Sequence, residues 1–585
     1  MREDAPPPQI TVLDAGGQYC HLIARRVRQL GVYAEVRPSD ATAETLTGRK
    51  GIIISGGPNS VYEPGSPSVD KALFDLGAGV LGICYGQQLM AYLLNGSVRK
   101  GDKGEYGHAT LQVSVRDGLF QGLGADEPVW MSHRDQVEKP PPGFDVLAST
   151  DTCAIAAIGD PARRLYGVQF HPEVVHTPRG MQVLENFLFS ICECRKDWDP
   201  RGRLDLLEEK IRETTGARNV FFFVSGGVDS SVAYRLCLRA LGPERVRGAY
   251  VDTGLMREAE TEFVRDSLGV EIVDAGAQFL DALQGVWDPE QKRHIIGEQF
   301  VRVQETVLQS GHYLDGDWIL GQGTIYPDTI ESGGTAQADL IKTHHNRVAG
   351  IQKLIESNRI IEPLTSFYKD EVREIGRELG LPDELLDRHP FPGPALAIRL
   401  LCAEQTAPVE KLPEGWMIPV QTVGVQGDSR TYRAVLVLDN PGWNEEMFAR
   451  ATVTVNRLQN INRVVAQSGA HAPIQRMSVV AAGLTPERLH RLRRADAIVR
   501  RLSHEAGFDS KVWQFPVILI PCGTLDRPDS VVLRPIHSVD GMTAQAVKME
   551  EPLRSRMTSE LLNAEGLCAV FHDLTHKPPA TIEWE

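Results

Sequence analysis

The stretch that most limits the fold is residues 220–231, Val220-Phe221-Phe222-Phe223-Val224-Ser225-Gly226-Gly227-Val228-Asp229-Ser230-Ser231. Five apolar residues without alternation are the pattern of a strand buried on both faces of a parallel sheet. A helix is predicted directly after it. Val232, Ala233, Leu236, Cys237, Ala240 and Leu241 share one face at helical spacing, and Gly242-Pro243 ends the run. Between strand and helix, Gly226 and Gly227 let the backbone approach a ligand with no Cβ in the way. Ser225, Ser230, Ser231 and the N–H groups opening the helix can donate to phosphate oxygens. The loop lacks the lysine of a Walker A sequence, and an ordinary Ser/Gly-rich turn is the other reading of Ser-Gly-Gly taken alone.

The hexapeptide Ser225–Ser230 resembles the pyrophosphate loop of the ATP pyrophosphatases, which cleave ATP between the α and β phosphates and adenylate a substrate oxygen. The resemblance implies ATP binding by Ser225, Gly226, Gly227, Val228, Asp229, Ser230 and Ser231, with Mg²⁺ bridging phosphate oxygens and Asp229 as its ligand. The next strand, from Val246 to Val251, runs into Asp252-Thr253-Gly254-Leu255, which places Val251 and Leu255 to flank an adenine.

The N-terminal third alternates strand and helix, the pattern of an open α/β sheet with ligands beyond the carboxyl ends of its strands. A strand around Ile10–Leu13, a Gly16-Gly17 turn, a helix with Leu22, Ile23, Val27 and Leu30 inward and a strand from Val32 to Val36 are predicted. Residues 51–58 form a buried strand running into Gly56-Gly57, whose N–H groups suit an oxyanion. In Val80-Leu81-Gly82-Ile83-Cys84-Tyr85-Gly86, a cysteine stands at a strand tip between glycines and before a helix. That is the form of a nucleophile elbow, although such a cysteine alone is equally a buried structural residue. His171-Pro172-Glu173 at the end of another strand supplies a base and an orienting carboxylate. Cys84, His171 and Glu173 together resemble the class I glutamine amidotransferases over residues 8–192. That resemblance implies a catalytic triad of these three, oxyanion donors at Gly57 and Tyr85, and a glutamine contact at Gln88.

At 585 residues the chain has room for three or four domains. Its net charge of −15 argues against a general nucleic-acid grip. The first residues lack an apolar signal core and no run reaches the length of a membrane span, so a cytoplasmic protein acting on small molecules is expected, with no nucleic-acid or membrane partner. Nine cysteines are few and odd in number, and Cys192-Glu193-Cys194 has the wrong spacing for a zinc knuckle.

Further segments narrow the family. Trp130–Asp135, Gly321–Ser332, Ile341–Asn346, Glu362–Arg373, Arg388–Arg399 and Lys577–Glu585 all resemble segments of the glutamine-hydrolysing GMP synthetase family. His344-His345 reads by itself as an exposed polar turn, and the proline-rich 388–399 as a rigid connector. The resemblance implies amidotransferase (1–197), ATP pyrophosphatase (198–400) and C-terminal dimerisation-type α+β (401–585) domains. It also implies Gly321 at the ATP site, and Arg399, Gln514, Lys577, Thr581 and Glu583 around xanthosine 5′-monophosphate (XMP). The implied reaction is GMP synthesis from XMP, ATP and glutamine. The alternative is another glutamine-coupled adenylating ligase, of the NAD synthetase or tRNA thiolase type. Residues 416–438 and 513–535 echo each other as strand, turn, strand. A duplicated unit is therefore expected, with a monomer favoured over a homodimer because the copies can pair internally.

Overall fold

The computed structural model describes residues 6–17, 19–331, 349–389, 391–426, 429–439, 442–538 and 543–585. The chain forms two compact units, Met1–Leu207 with Ser366–Tyr368, and Glu208–Thr365 with Lys369–Glu585.

Among the described residues of the first unit, nine strands form one sheet: β1 (Ile10–Asp14), β2 (Ala34–Pro38), β3 (Gly51–Ile54), β4 (Gly79–Ile83), β5 (Ser97–Val113), β6 (Asp126–Lys139), β7 (Asp145–Ser149), β8 (Ala157–Asp160) and β9 (Leu165–Val168). Their order is β2-β1-β3-β4-β9-β8-β7-β5-β6. The first five in that order are parallel and the remainder antiparallel. β3 and β4 are buried at every residue, as continuous apolar runs require, whereas β6 alternates exposed and buried positions and has one wet face. β2 begins at Ala34 rather than at Val32. Val32 N–H closes the end of the helix Cys20–Gln29 by donating to Val27 O at 3.3 Å, which takes it out of the strand.

In the second unit, β10 (Asn219–Phe223), β11 (Val246–Asp252), β12 (Glu271–Asp274), β13 (Trp318–Gly321) and β14 (Ile360–Ile361) form an all-parallel sheet of order β12-β11-β10-β13-β14. The winding reverses at β10, so the doubly wound reading holds, and the carboxyl ends of β10 and β13 border the switch point where such sheets bind ligands.

The remaining strands are β15 (Ala407–Pro408), β16 (Glu410–Leu412), β17 (Gly415–Gln426), β18 (Ser429–Leu438), β19 (Ile461–Ala470), β20 (Ser478–Val479), β21 (Val517–Ile520), β22 (Cys522–Gly523), β23 (Asp529–Leu533), β24 (Ile536–His537), β25 (Gln545–Ala546) and β26 (Leu567–Asp573). The main sheet has the order β16-β17-β18-β19-β26-β23-β21. It contains one ββαβ pattern twice. β17 and β18 are antiparallel and, after the helix Glu445–Arg457, β19 returns parallel to β18; β21, β23, the helix Glu551–Leu562 and β26 repeat this. The copies meet where β19 and β26 pair antiparallel. The helix Pro486–Glu505 is capped by Thr485 and puts Leu489, Leu492, Ala495, Ile498 and Leu502 into a core shared with Phe279, Leu396 and Leu519. That core ties the ββαβ region to the parallel sheet.

Candidate active sites

Cys84 follows β4 with φ +53° and ψ −105° and caps the helix Tyr85–Leu93. A side chain held in that region costs of order 1–3 kcal/mol of backbone strain. The turn closes because two residues lack a Cβ: one on Gly82 would lie 2.5 Å from the Gly86 carbonyl, and one on Gly86 would lie 2.2 Å from Ile54 O. His171 follows β9 and places Nδ1 2.7 Å from Glu173 Oε1, both residues being buried. Thr177 donates to His171 O at 2.7 Å and accepts from Trp130 N–H, fixing that turn. A Cβ on Gly56 would sit 3.3 Å from His171 Cε1 and 3.7 Å from Cys84 Cβ, so imidazole and cysteine face one small space. Burial pushes the His171 pKa down, but the Glu173 carboxylate and the hydrogen bond with Cys84 outweigh it and hold the ring well above its ordinary value.

The other residues expected at this site surround it. Gly57 packs so closely on the end of β1 that a Cβ there would lie 2.4 Å from Ala15 O. Tyr85 is the first helical residue, whose N–H has no partner within the helix. Gln88 Nε2 donates to Asp135 O at 2.7 Å and to Gln169 Oε1 at 3.2 Å. A thiol, an imidazole and a carboxylate are thus brought together, the set of groups that acyl transfer from an amide would use.

In the second unit Gly226, at φ +75°, turns the chain out of β10, and the helix Val228–Leu241 begins at once. Ser225 and Ser230 hydroxyls lie 3.0 Å apart, and Ser231 donates to Gly227 O at 2.7 Å. Gly321 and Gly323 bring the end of β13 against this loop: a Cβ on Gly323 would lie 2.6 Å from Ser230 N, and one on Gly321 would lie 2.2 Å from the Phe222 ring. Asp229 Oδ2 pairs with Lys369 Nζ at 3.2 Å, while its buried Oδ1 has no hydrogen-bond partner among the described residues. Burial raises the Asp229 pKa, the Lys369 charge opposes that, and the Asp328 carboxylate adds to it. A desolvated carboxylate oxygen beside a second carboxylate fits a divalent cation. Val251 and Leu255 both lie in the shared core with Phe279 and Leu396.

Among the C-terminal candidates, Arg399 and Thr581 both contact Glu583. Arg399 is 1% exposed and donates from Nε and Nη2 to both carboxylate oxygens of Glu583, at 2.9 and 2.7 Å. Its Nη1 has no hydrogen-bond partner among the described residues. Thr581 Oγ1 accepts from Arg463 Nη2 at 2.9 Å. Lys577 N–H and C=O pair with Ala544, and Gln514 bridges to Ile536. The segment 341–346 lies outside the described residues.

Three family models match along the chain. The family model for glutamine amidotransferase class-I matches residues 11–191, that for NAD synthase residues 201–271, and that for the GMP synthase C terminal domain residues 502–584. A probable GMP synthase (glutamine-hydrolyzing) of Leptospira interrogans is 41% identical over 604 residues, covering 99% of each chain. The chain belongs to the glutamine-hydrolysing GMP synthase family. Other members with that printed name, from Symbiobacterium thermophilum and Caldicellulosiruptor saccharolyticus, are 40% and 39% identical, each over 98% of this chain and 99% of its own. The NAD synthase match covers the phosphate loop and its surroundings, whereas the GMP synthase likeness spans the whole chain, so the alternative ligase reading is not favoured.

Against this family background, three features carry no strong sequence signal. Gln169 is fully buried and points Nε2 at Cys84 Sγ from 3.6 Å. Ser132 contributes its backbone carbonyl, 3.7 Å from the same sulfur. Lys369 reaches the phosphate loop from 140 residues away in the chain. Gln169 lies just past β9 and two residues before His171, where continued alternation would turn both to one side.

Proposed function

We propose that this chain synthesises GMP from XMP, ATP and glutamine, with the amidotransferase, ATP pyrophosphatase and C-terminal parts divided near residues 197 and 400. The observation that carries the reading is the strained Cys84 turn facing the buried His171–Glu173 pair in a chain that also bears the Ser225–Ser231 loop. Cys84 attacks the glutamine side-chain carbonyl. His171 takes the thiol proton and returns it to the departing ammonia, then takes a proton from the water that hydrolyses the glutamyl thioester and returns it to the Cys84 sulfur, while Glu173 fixes the tautomer and stabilises the imidazolium. The Gly57 and Tyr85 N–H groups receive the oxyanion, and Gln88 contacts the substrate.

In the second unit, Ser225, Ser230, Ser231 and the N–H groups of Gly226–Asp229 hold the pyrophosphate, with Val251, Leu255 and Gly321 bordering the nucleoside. Mg²⁺, held by Asp229 with Asp328 nearby, neutralises phosphate charge when bound. The XMP C2 oxygen attacks the α-phosphate and pyrophosphate leaves; ammonia then displaces AMP. Arg399, Gln514, Lys577, Thr581 and Glu583 hold XMP, with the free Arg399 Nη1 directed to its phosphate. Offering ATP, Mg²⁺ and glutamine with XMP, deamido-NAD or tRNA and following AMP release tests the reading. AMP release that depends on XMP alone supports it; release with deamido-NAD or tRNA and none with XMP overturns it.

A further inference from the structure

Beside the Cys84 site, but outside it, three side chains from different strands and turns converge. They are Glu105 on β5, His133 on β6 and Cys153 in the turn between β7 and β8. Among the described residues they are the one group of three His, Cys, Asp or Glu side chains whose ligand atoms all lie within 4.8 Å of one another. His133 Nε2 is 3.0 Å from Glu105 Oε2, and His133 Nδ1 is 3.0 Å from Asp135 O. A backbone carbonyl can only accept, so Nδ1 carries a proton and Nε2 is the ring atom that faces the carboxylate. Either a shared proton or a metal cation can bridge that pair. Thr150 donates to the other Glu105 oxygen at 3.1 Å and fixes the carboxylate, as the Asp135 carbonyl fixes the imidazole. Outer hydrogen bonds of this kind hold metal-ligating His and carboxylate groups in place. Cys153 is fully buried, and its sulfur offers a lone pair to a metal.

We infer that Glu105, His133 and Cys153 form a binding site for one divalent transition metal of the zinc class. One nitrogen, one sulfur and one oxygen donor suit such an ion, where magnesium or calcium would select oxygens alone. Zinc bonds of about 2.0–2.3 Å give ligand separations of about 3.3–3.8 Å in a tetrahedron. The nitrogen–oxygen separation of 3.0 Å and the 4.8 Å limit on all pairs bracket that range. The fourth position is left for water. A metal bound here takes the Cys153 sulfur as thiolate, releasing the thiol proton.

The site has a route to glutamine binding. Asp135 O accepts from both His133 Nδ1 and Gln88 Nε2, and Ser132 O lies 3.7 Å from Cys84 Sγ. A metal on His133 anchors the 132–135 segment that both glutamine-site residues touch. Its role is positioning.

The test is equilibrium dialysis of the full-length Cys84→Ala chain with Zn²⁺ alone, which removes the other cysteine–histidine pair from contention, together with Co²⁺ absorption spectra. One Zn²⁺ per chain is expected, with a thiolate-to-cobalt charge-transfer band. Cys153→Ser should abolish the band and weaken Zn²⁺ binding at least tenfold, and Glu105→Gln should weaken Zn²⁺ while retaining the band. In the Cys84-intact chain, Cys153→Ser should raise the glutamine KM and leave ammonia-dependent synthesis unchanged. No stoichiometric Zn²⁺ in the folded parent chain, or binding that Cys153→Ser and Glu105→Gln both leave intact, overturns the assignment. His133→Gln, which keeps every cysteine, should likewise weaken Zn²⁺ binding at least tenfold, and provides the check if Cys153→Ser fails to fold.

Discussion

Lys369 Nζ lies 3.2 Å from Asp229 Oδ2, joining the start of the helix Lys369–Glu378 to the phosphate loop. The pair sets the charge state of the loop. Burial raises the Asp229 pKa and Lys369 restrains that rise. A step that needs ionised Asp229 is therefore retained above the raised pKa and lost as pH falls through it. Lys369→Met should move the acid limb of ammonia-dependent AMP formation to higher pH. An unmoved limb in the folded variant would break the link.

Asp229→Asn keeps the shape and removes the charge. AMP formation should fall by roughly a hundredfold with either glutamine or ammonia, the usual scale for groups that shape phosphoryl-transfer charge. Unchanged ammonia-dependent synthesis would remove Asp229 from the mechanism.

Cys84→Ala should abolish glutamine-dependent synthesis and leave the ammonia-dependent reaction intact at high ammonium and alkaline pH. Loss of both, with the fold preserved by circular dichroism, would contradict two separate sites.

Glu173→Gln removes the carboxylate that lifts the His171 pKa. Glutamine hydrolysis should drop by ~10²–10⁴-fold, the range contributed by a positioned acid–base group, with the basic form of His171 reached at lower pH. Assays of glutamate release across pH check both effects.

Asp573 is fully buried and its Oδ2 accepts from Arg463, Arg534 and the Trp584 indole at 3.0, 2.6 and 2.9 Å. Asp573→Ala leaves two buried guanidinium groups without their carboxylate and should destabilise the second unit by about 3–5 kcal/mol, read by urea unfolding. A change under about 1 kcal/mol would mean that solvent reaches the triad.

The duplicated ββαβ pattern bears on subunit number. Light scattering on the free chain should give a mass near 64.6 kDa over a wide concentration range. A mass twice that, persisting on dilution without nucleotide, would defeat internal pairing as a substitute for a dimer.

Much of this was legible in the sequence because local chemistry dictated it. The unbroken apolar run 220–224, bounded by glycines, reads as a buried strand and returns as β10 up to Phe223, and the glycines at 82 and 86 are needed by the turn they build. The echo between 416–438 and 513–535 likewise returns as repeated strand pairs. What escaped is set by tertiary proximity. Lys369 meets Asp229 across 140 residues, and the Ser132 site contribution is a carbonyl, which no side-chain pattern can announce. Arg399 and Glu583 were each read as facing XMP, but only the fold shows that they also hold each other, bidentately.

The antiparallel seam between β19 and β26 joins two copies of one pattern inside a single polypeptide. A seam between two identical chains obliges every substitution to appear twice, once on each side. Here each side answers to its own codons, so one copy can drift toward a task that the other never takes up. The candidates Gln514, Lys577, Thr581 and Glu583 all flank strands of the second copy, whereas β17, β18 and β19 of the first carry none of them. The first copy still holds two of them in place, since Arg463 on β19 donates to Thr581 and to Glu583 O.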